Sequence, residues 1–390
     1  MKILHYIPEC MISSDNAETA FGSADISNSY LSVLTNTMAA LAEVSIAKTL
    51  PQLKQQAKDM QPDIVHIHAC WNFSAYMAQH WAMKRQLALV LSLHNGMQPW
   101  HVHHHFWLQK VPMLMIYQRH AIRSADAILV SSYSEQQRLK AMKWNSRLAL
   151  VRNSTISDTI TNQQMTEELL SFYQKVIDSN SFRLMTEEDR TNENLLLHAA
   201  VFGAEEAGIP EIPLSSLRKI LIHAQEEGIL EEVKKGASLM HQNVESLVVE
   251  DMERFPRRLK KSIGALECNK PLPKSHISKS KLSNLKQDEK PNETESRLIM
   301  MLVNVHHELK HHKLSRRHLT DLFRELRFKE YDEDKLQRMT KQMGIQKFTS
   351  RLMQILHETF YLEEGYMPVP PVDDKRTDNI RKSLLNSNTQ

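Results

Sequence analysis

The strongest constraint in this sequence is a regular alternation over its first 155 residues. Short, nearly continuous apolar runs take turns with segments of helical periodicity. The runs are Lys2–Pro8, Val44–Thr49, Asp63–Cys70, Leu87–Leu93, Asp126–Ser131 and Arg147–Asn153. Between them, helices are predicted over Asn28–Ala42, Pro51–Met60, Phe73–Arg85, Pro99–Ser124 and Glu135–Trp144. Strands without polar alternation are buried on both faces, and helical crossovers between them make neighbouring strands parallel. The expected fold class is therefore α/β: a Rossmann-like, doubly wound parallel sheet.

The pattern changes after this. Helical periodicity continues from Gln164 without a convincing buried strand, clearest over Glu187–Val201 and Leu214–Gln225. Residues 254–286 carry ten Lys or Arg against one acid, Glu267, with Pro271 and Pro273, and read as an exposed linker. Helices follow over Thr294–His312, Ser315–Phe328, Asp332–Met343 and Lys347–Leu362, with Ser315 and Asp332 as N-caps. The expected organisation is an α/β domain over 1–165, a helical region over 166–260, a basic linker over 261–293, a helical domain over 294–365 and a loose tail over 366–390.

Composition narrows the function. The chain has 9 glycines in 390 residues, and only Gly22 and Gly96 lie in the first 200. Backbone that cradles a phosphate needs glycine, so several nucleotide-binding loops are not expected. With 49 basic and 46 acidic residues the charge is near balance, which argues against a nucleic-acid partner. Cys10, Cys70 and Cys268 are too few and too scattered for a disulfide framework and fit a reducing cytoplasm. No apolar run reaches the length of a membrane-spanning helix, and no signal peptide is evident at the start. No cofactor is expected.

In open α/β sheets ligands bind at the carboxyl ends of the strands. Here those ends are Pro8–Gly22, His68–Asn72 and His94–Trp100. The last two are rich in His, Asn and Trp, side chains that hydrogen-bond sugar hydroxyls and stack on a pyranose.

Four segments in order carry a resemblance: PDIVHIHACWN (Pro62–Asn72), LVLSLHNGMQPW (Leu89–Trp100), YQRHAIRSADAILVSSYSEQQRL (Tyr117–Leu139) and LALVRNS (Leu148–Ser154). Together they resemble the N-terminal, acceptor-side domain of family 4 GT-B glycosyltransferases, over roughly residues 1–180. That resemblance implies glycosyl transfer from a nucleotide sugar to a saccharide or lipid-linked saccharide acceptor, as in polysaccharide biosynthesis. It implies that His94 is catalytic, lying near the reacting sugars, with Gly96 completing the family's HG-type turn around an inserted Asn95. It further implies that His68, Trp71, Asn72, Asn95 and Gly96 line the acceptor side.

The sequence departs from the family in two places. The Pro8–Gly22 segment lacks the paired glycines that approach donor phosphates. The usual donor domain, with two glutamates spaced E-x7-E, is not recognisable; VFGAEEAGIPEIP (Val201–Pro213) fails because Leu197 and His198 stand where the first glutamate is needed. The donor site is thus expected to be absent or supplied by a partner. The alternative is a non-catalytic module that binds a saccharide or uses its helical half for a protein partner.

Two further patterns stand out. His307-Glu308-Leu309-Lys310-His311 matches H-E-x-x-H, but Lys310 opposes a dication and no third ligand follows at the expected offsets, so no zinc is expected there. The stretch from Trp100 combines His101, His103, His104 and His105 with Phe106, Trp107, Lys110, Met115, Arg119 and Arg123. It reads either as a helix packed on the sheet or as a peripheral contact with the inner membrane surface.

Overall fold

The computed structural model describes residues 1–12, 26–103, 106–156, 159–203, 211–256, 263–272 and 279–385. It divides into two compact units, Met1–Asn180 with Met252–Pro256, and Ser181–Asp251 with Arg257–Gln390.

The first unit is built on β1 (Lys2–Tyr6), β2 (Glu43–Ala47), β3 (Ile64–His68), β4 (Ala88–Ser92), β5 (Ala127–Val130) and β6 (Leu148–Leu150). The strands form one sheet in the order β2-β1-β3-β4-β5-β6, and every pairing is parallel. The order reverses between β1 and β3, the kind of switch point where α/β sheets open a crevice.

One face of the sheet presents Leu4, Tyr6, Val65, Ile67, Leu89 and Leu91. Against it pack α2 (Leu50–Met60), capped by Thr49, and α3 (Phe73–Lys84), capped by Asn72. Ala75, Ala78 and Ala82 on α3 are buried, and their small side chains let helix and sheet approach closely. The other face carries His5, His66 and His68. Tyr173 of α8 (Asn162–Ser179) and Tyr30 of α1 (Asn28–Ser32) bring their rings to these histidines.

The helix expected over Asn28–Ala42 widens to a π turn over Val33–Thr37. Leu34 and Met38 remain buried, but Leu41 is exposed because the wider turn shifts the helical phase. The helix expected over Pro99–Ser124 is likewise broken into α4 (Pro99–His103), α5 (Val111–Met113) and α6 (Arg119–Ser124), with π turns over Phe106–Lys110 and Leu114–Gln118. Pro112 sits among these turns and has no N–H to give a regular α-turn. His104 and His105 lie outside the described residues, as do Gly22 and most of the Pro8–Gly22 segment.

The second unit has no strand among its described residues and is built on helices: α9 (Ser181–Leu184), α10 (Glu187–Phe202), α11 (Leu214–Glu227), α12 (Leu230–Leu239), α13 (Lys279–Glu289), α14 (Glu293–Lys310), α15 (Arg316–Phe328), α16 (Glu333–Met343), α17 (Gln346–Phe360) and α18 (Lys375–Leu385). A buried polar knot ties α10, α11 and α15 together. Glu193 pairs with His223 at 2.7 Å and with Arg316 at 3.0 Å, and the Glu227 carboxylate accepts from the Arg316 N–H at 2.8 Å. That last bond replaces the cap expected from Ser315, whose hydroxyl is buried and makes no capping bond. Asp332 caps α16 through the Lys335 N–H.

Two segments are more ordered than expected. The basic stretch ends in α13, where Leu282 and Leu285 are buried. The last 25 residues, expected as a loose tail, contain α18, where Arg381 bonds Glu358, Asp373 and Asp378 and Ile380 is buried. These are ion pairs and one apolar anchor on a short helix, too sparse a pattern to be read from periodicity. His307 of α14 and His311, the residue that caps it, hold their ring centroids 4.3 Å apart, while Glu308 is buried, so the H-E-x-x-H glutamate does not share the surface of the two rings. Among the described residues no helix is long and apolar enough to cross a membrane.

Candidate functional site

The carboxyl ends of β1, β3 and β4 bring together a file of histidines. His5 and His66 are register partners on adjacent strands, and His68 follows His66 on the same face. Imidazoles inside a sheet are costly unless hydrogen-bonded, and these are. His5 Nδ1 lies 2.8 Å from His68 Nε2, and His68 Nδ1 lies 3.0 Å from His94 Nε2. His66 lies between two hydroxyls, Tyr173 at 2.6 Å and Ser92 at 2.7 Å. His5, His66 and His68 are fully buried; His94, just past β4, is half-buried.

Burial sets their charge. Desolvation lowers His5 to about 3 and His94 to about 4, and lowers His66 and His68 well below the usual histidine range, helped by the repulsion between neighbouring imidazoles when protonated. All four are neutral at physiological pH.

His5, His66 and His68 each place a ring nitrogen within 4.8 Å of the others. The His66 and His68 rings lie with centroids 3.9 Å apart, tilted by 34°. Their bonds are of hydrogen-bond length. The distances are those of a hydrogen-bonded network.

His94 opens a strained turn. His94 and Asn95 both adopt left-handed backbone, with φ of 46° and 63°, as does Trp71 at 59°. Such conformations persist only where surroundings enforce them, and they concentrate at functional sites. The enforcement is visible. The Asn95 N–H donates to Glu135 Oε1 at 2.8 Å, Ser132 donates to Asn95 Oδ1 at 2.8 Å, and the Gly96 N–H donates to Leu93 O at 2.8 Å. A Cβ on Gly96 would lie 2.5 Å from Cys70 Cβ and 2.9 Å from Leu93 O, so the turn closes only on glycine.

Glu135 lies in α7 (Tyr133–Met142), whose N-cap is Ser132. Desolvation raises its carboxyl to about 7, against the opposing pull of the Asn95 and Ser131 N–H groups.

The other expected residues lie nearby in different settings. Trp71 is buried: its Nε1–H donates to Gly96 O at 2.7 Å, and Lys110 lies 4.8 Å from its ring centroid. Asn72 caps α3 through the Ala75 N–H at 2.9 Å and donates to Cys10 Sγ at 3.2 Å. His68 reaches the open side only through His94. A narrow recess is lined by Tyr30, Ser92, His94, Ser131, Asn153 and Met165. Thus His68, Trp71, Asn95, Gly96 and His94 are brought together, and of the three rings His94 faces the recess.

Residues 37–155 match the family model described as Glycosyltransferase Family 4. The match includes β3, β4, β5 and the His94–Gly96 turn, and with the parallel sheet it identifies this unit with the N-terminal half of the GT-B fold. No curated protein and no solved structure gives a significant match.

Sequence reasoning missed His5, His66, Tyr30, Tyr173 and Glu135. His5 and His66 had a signal, being histidines inside apolar strands and in phase with His68. Glu135 completes the pattern Ser132-x-x-Glu135, a helix-start signature. Tyr173, 107 residues from His66, had none.

Proposed function

We propose that the α/β unit binds a saccharide at the His94–Asn95 turn, as the acceptor half of a glycosyltransferase does, and that this chain does not transfer sugar alone. The observation that carries the reading is the enforced left-handed turn, in a segment that matches the family and at the strand ends where α/β ligands bind. The absence of transfer is supported by the second unit. Among the described residues all six strands lie before residue 151, and the usual donor half is a second parallel sheet. The nucleotide-sugar donor is then absent or held by a partner protein, for which the helical unit is the natural contact.

A lipid-linked acceptor suits the surface beside the site. Trp107, Leu108, Met115 and Ile116 are 79%, 85%, 80% and 68% exposed. Residues 99–125 carry the exposed Arg119 and Arg123 and no acid. On this reading the protein works in the cytoplasm, at the inner face of the membrane.

Screening the full chain against immobilised glycans tests the saccharide reading. Binding that is present in the native chain and lost in a folded His94→Phe variant is expected. Equal binding by both, or none by either across neutral and acidic glycans, would contradict it.

A further inference from the structure

We propose that the His5–His68–His94 file has a fixed polarity, which holds His94 as the Nδ1–H tautomer and makes it a hydrogen-bond donor, not a base, towards the recess. A neutral imidazole has one N–H and one bare nitrogen. His68 bonds through both nitrogens, to His5 on one side and to His94 on the other. It can donate to only one of them, so its choice sets the whole file. If it donates from Nδ1 to His94, then His5 must donate from Nδ1, and His5 Nε2 is bare. If it donates from Nε2 to His5, then His94 must donate from Nε2, and His5 Nε2 carries a proton.

The far end of the file decides between these. His5 Nε2 is buried and has no hydrogen-bond partner among the described residues. A buried N–H left without an acceptor is rarer and costlier than a bare acceptor without a donor. The first polarity is therefore the stable one. His94 Nε2 accepts from His68, and the remaining proton sits on His94 Nδ1, the ring nitrogen left for the recess that His94 lines. Burial supports the premise that all three rings are neutral.

The consequence is a specificity rule, which rests on the saccharide reading above. The ligand atom that meets His94 must accept a hydrogen bond: a sugar hydroxyl, a glycosidic oxygen or a phosphate oxygen qualifies, and the ammonium of an amino sugar does not. His5 and His68 are then positioning residues, acting through His94 without touching ligand.

The test needs no ligand, so its failure is distinct from failure of that reading. The full chain, labelled with 15N-histidine at pH 7.5, is examined by long-range 1H–15N correlation, with His94 assigned by its loss in His94→Gln. The proposal expects Nδ1 protonated and Nε2 bare at His94. In His68→Met, where nothing donates to His94 Nε2, the ring should shift towards the Nε2–H tautomer that free imidazole side chains favour. An Nε2–H tautomer at His94 in the native chain would overturn the proposal, whether or not the variant folds; an unchanged Nδ1–H tautomer in folded His68→Met would overturn the role of the file.

Discussion

Gly96 is the residue on which the turn most visibly depends, for reasons of space rather than of backbone freedom. Its missing side chain leaves room for Cys70 Cβ and the Leu93 carbonyl, neither of which swings away cheaply. Gly96→Ala should therefore destabilise the α/β unit by about 1–3 kcal/mol, the usual cost of overpacking. A urea midpoint unchanged from the native chain would show that the turn relaxes freely. The histidines make a second prediction. Their folded pKa values are lowered, so each takes up a proton on unfolding. The stability they contribute is complete above about pH 6.5 and is lost as pH falls towards 4 and 3. Glu135, raised to about 7, acts in the opposite direction, but it is one group against four. All five tryptophans, at 71, 81, 100, 107 and 144, lie in the α/β unit, so their fluorescence reports on it alone. Stability followed this way should fall between pH 6 and 5 by more than about 1.4 kcal/mol per pH unit, the value for one net proton. A flat profile would mean that the histidines are protonated in the folded chain.

At the scale of elements, periodicity served well where packing is regular. All six strands fall within one residue of the apolar runs, and α2, α3, α10, α14 and α17 lie within a few residues of their expected limits. It failed where a helix follows another rule. The π turns at Val33–Thr37 and around Pro112 break the helical phase without a lasting change of composition. Of the candidate site, His68 and His94 were legible because they follow strand ends. The aromatic partners were not, since Tyr30 meets both rings, and Tyr173 meets His66, only through tertiary folding. The helical stretch with exposed Trp107, Leu108, Met115 and Ile116 carries its own prediction. The full chain should float with vesicles containing anionic lipid, and a Leu108→Ser/Met115→Ser variant should lose most of that binding. Equal recovery with and without vesicles would leave this face without a role at the membrane.

For the whole molecule, the decisive fact is the asymmetry between its two units. One is a six-stranded parallel sheet with a segment that matches a glycosyltransferase family; the other is built on helices, with no strand among its described residues. Holding a nucleotide sugar requires backbone N–H groups at a glycine-rich turn, with Arg or Lys fixed around the diphosphate. Gly96 is packed against Cys70, and Gly228 closes the end of α11. On the function proposed above, this chain keeps a saccharide cleft without a donor site of its own. The most direct test is calorimetric titration of the full chain with a panel of uridine- and guanosine-diphosphate sugars. The account predicts no binding tighter than about 100 μM, roughly 5.5 kcal/mol. A tighter complex with any of them would contradict it and establish a donor site within the chain.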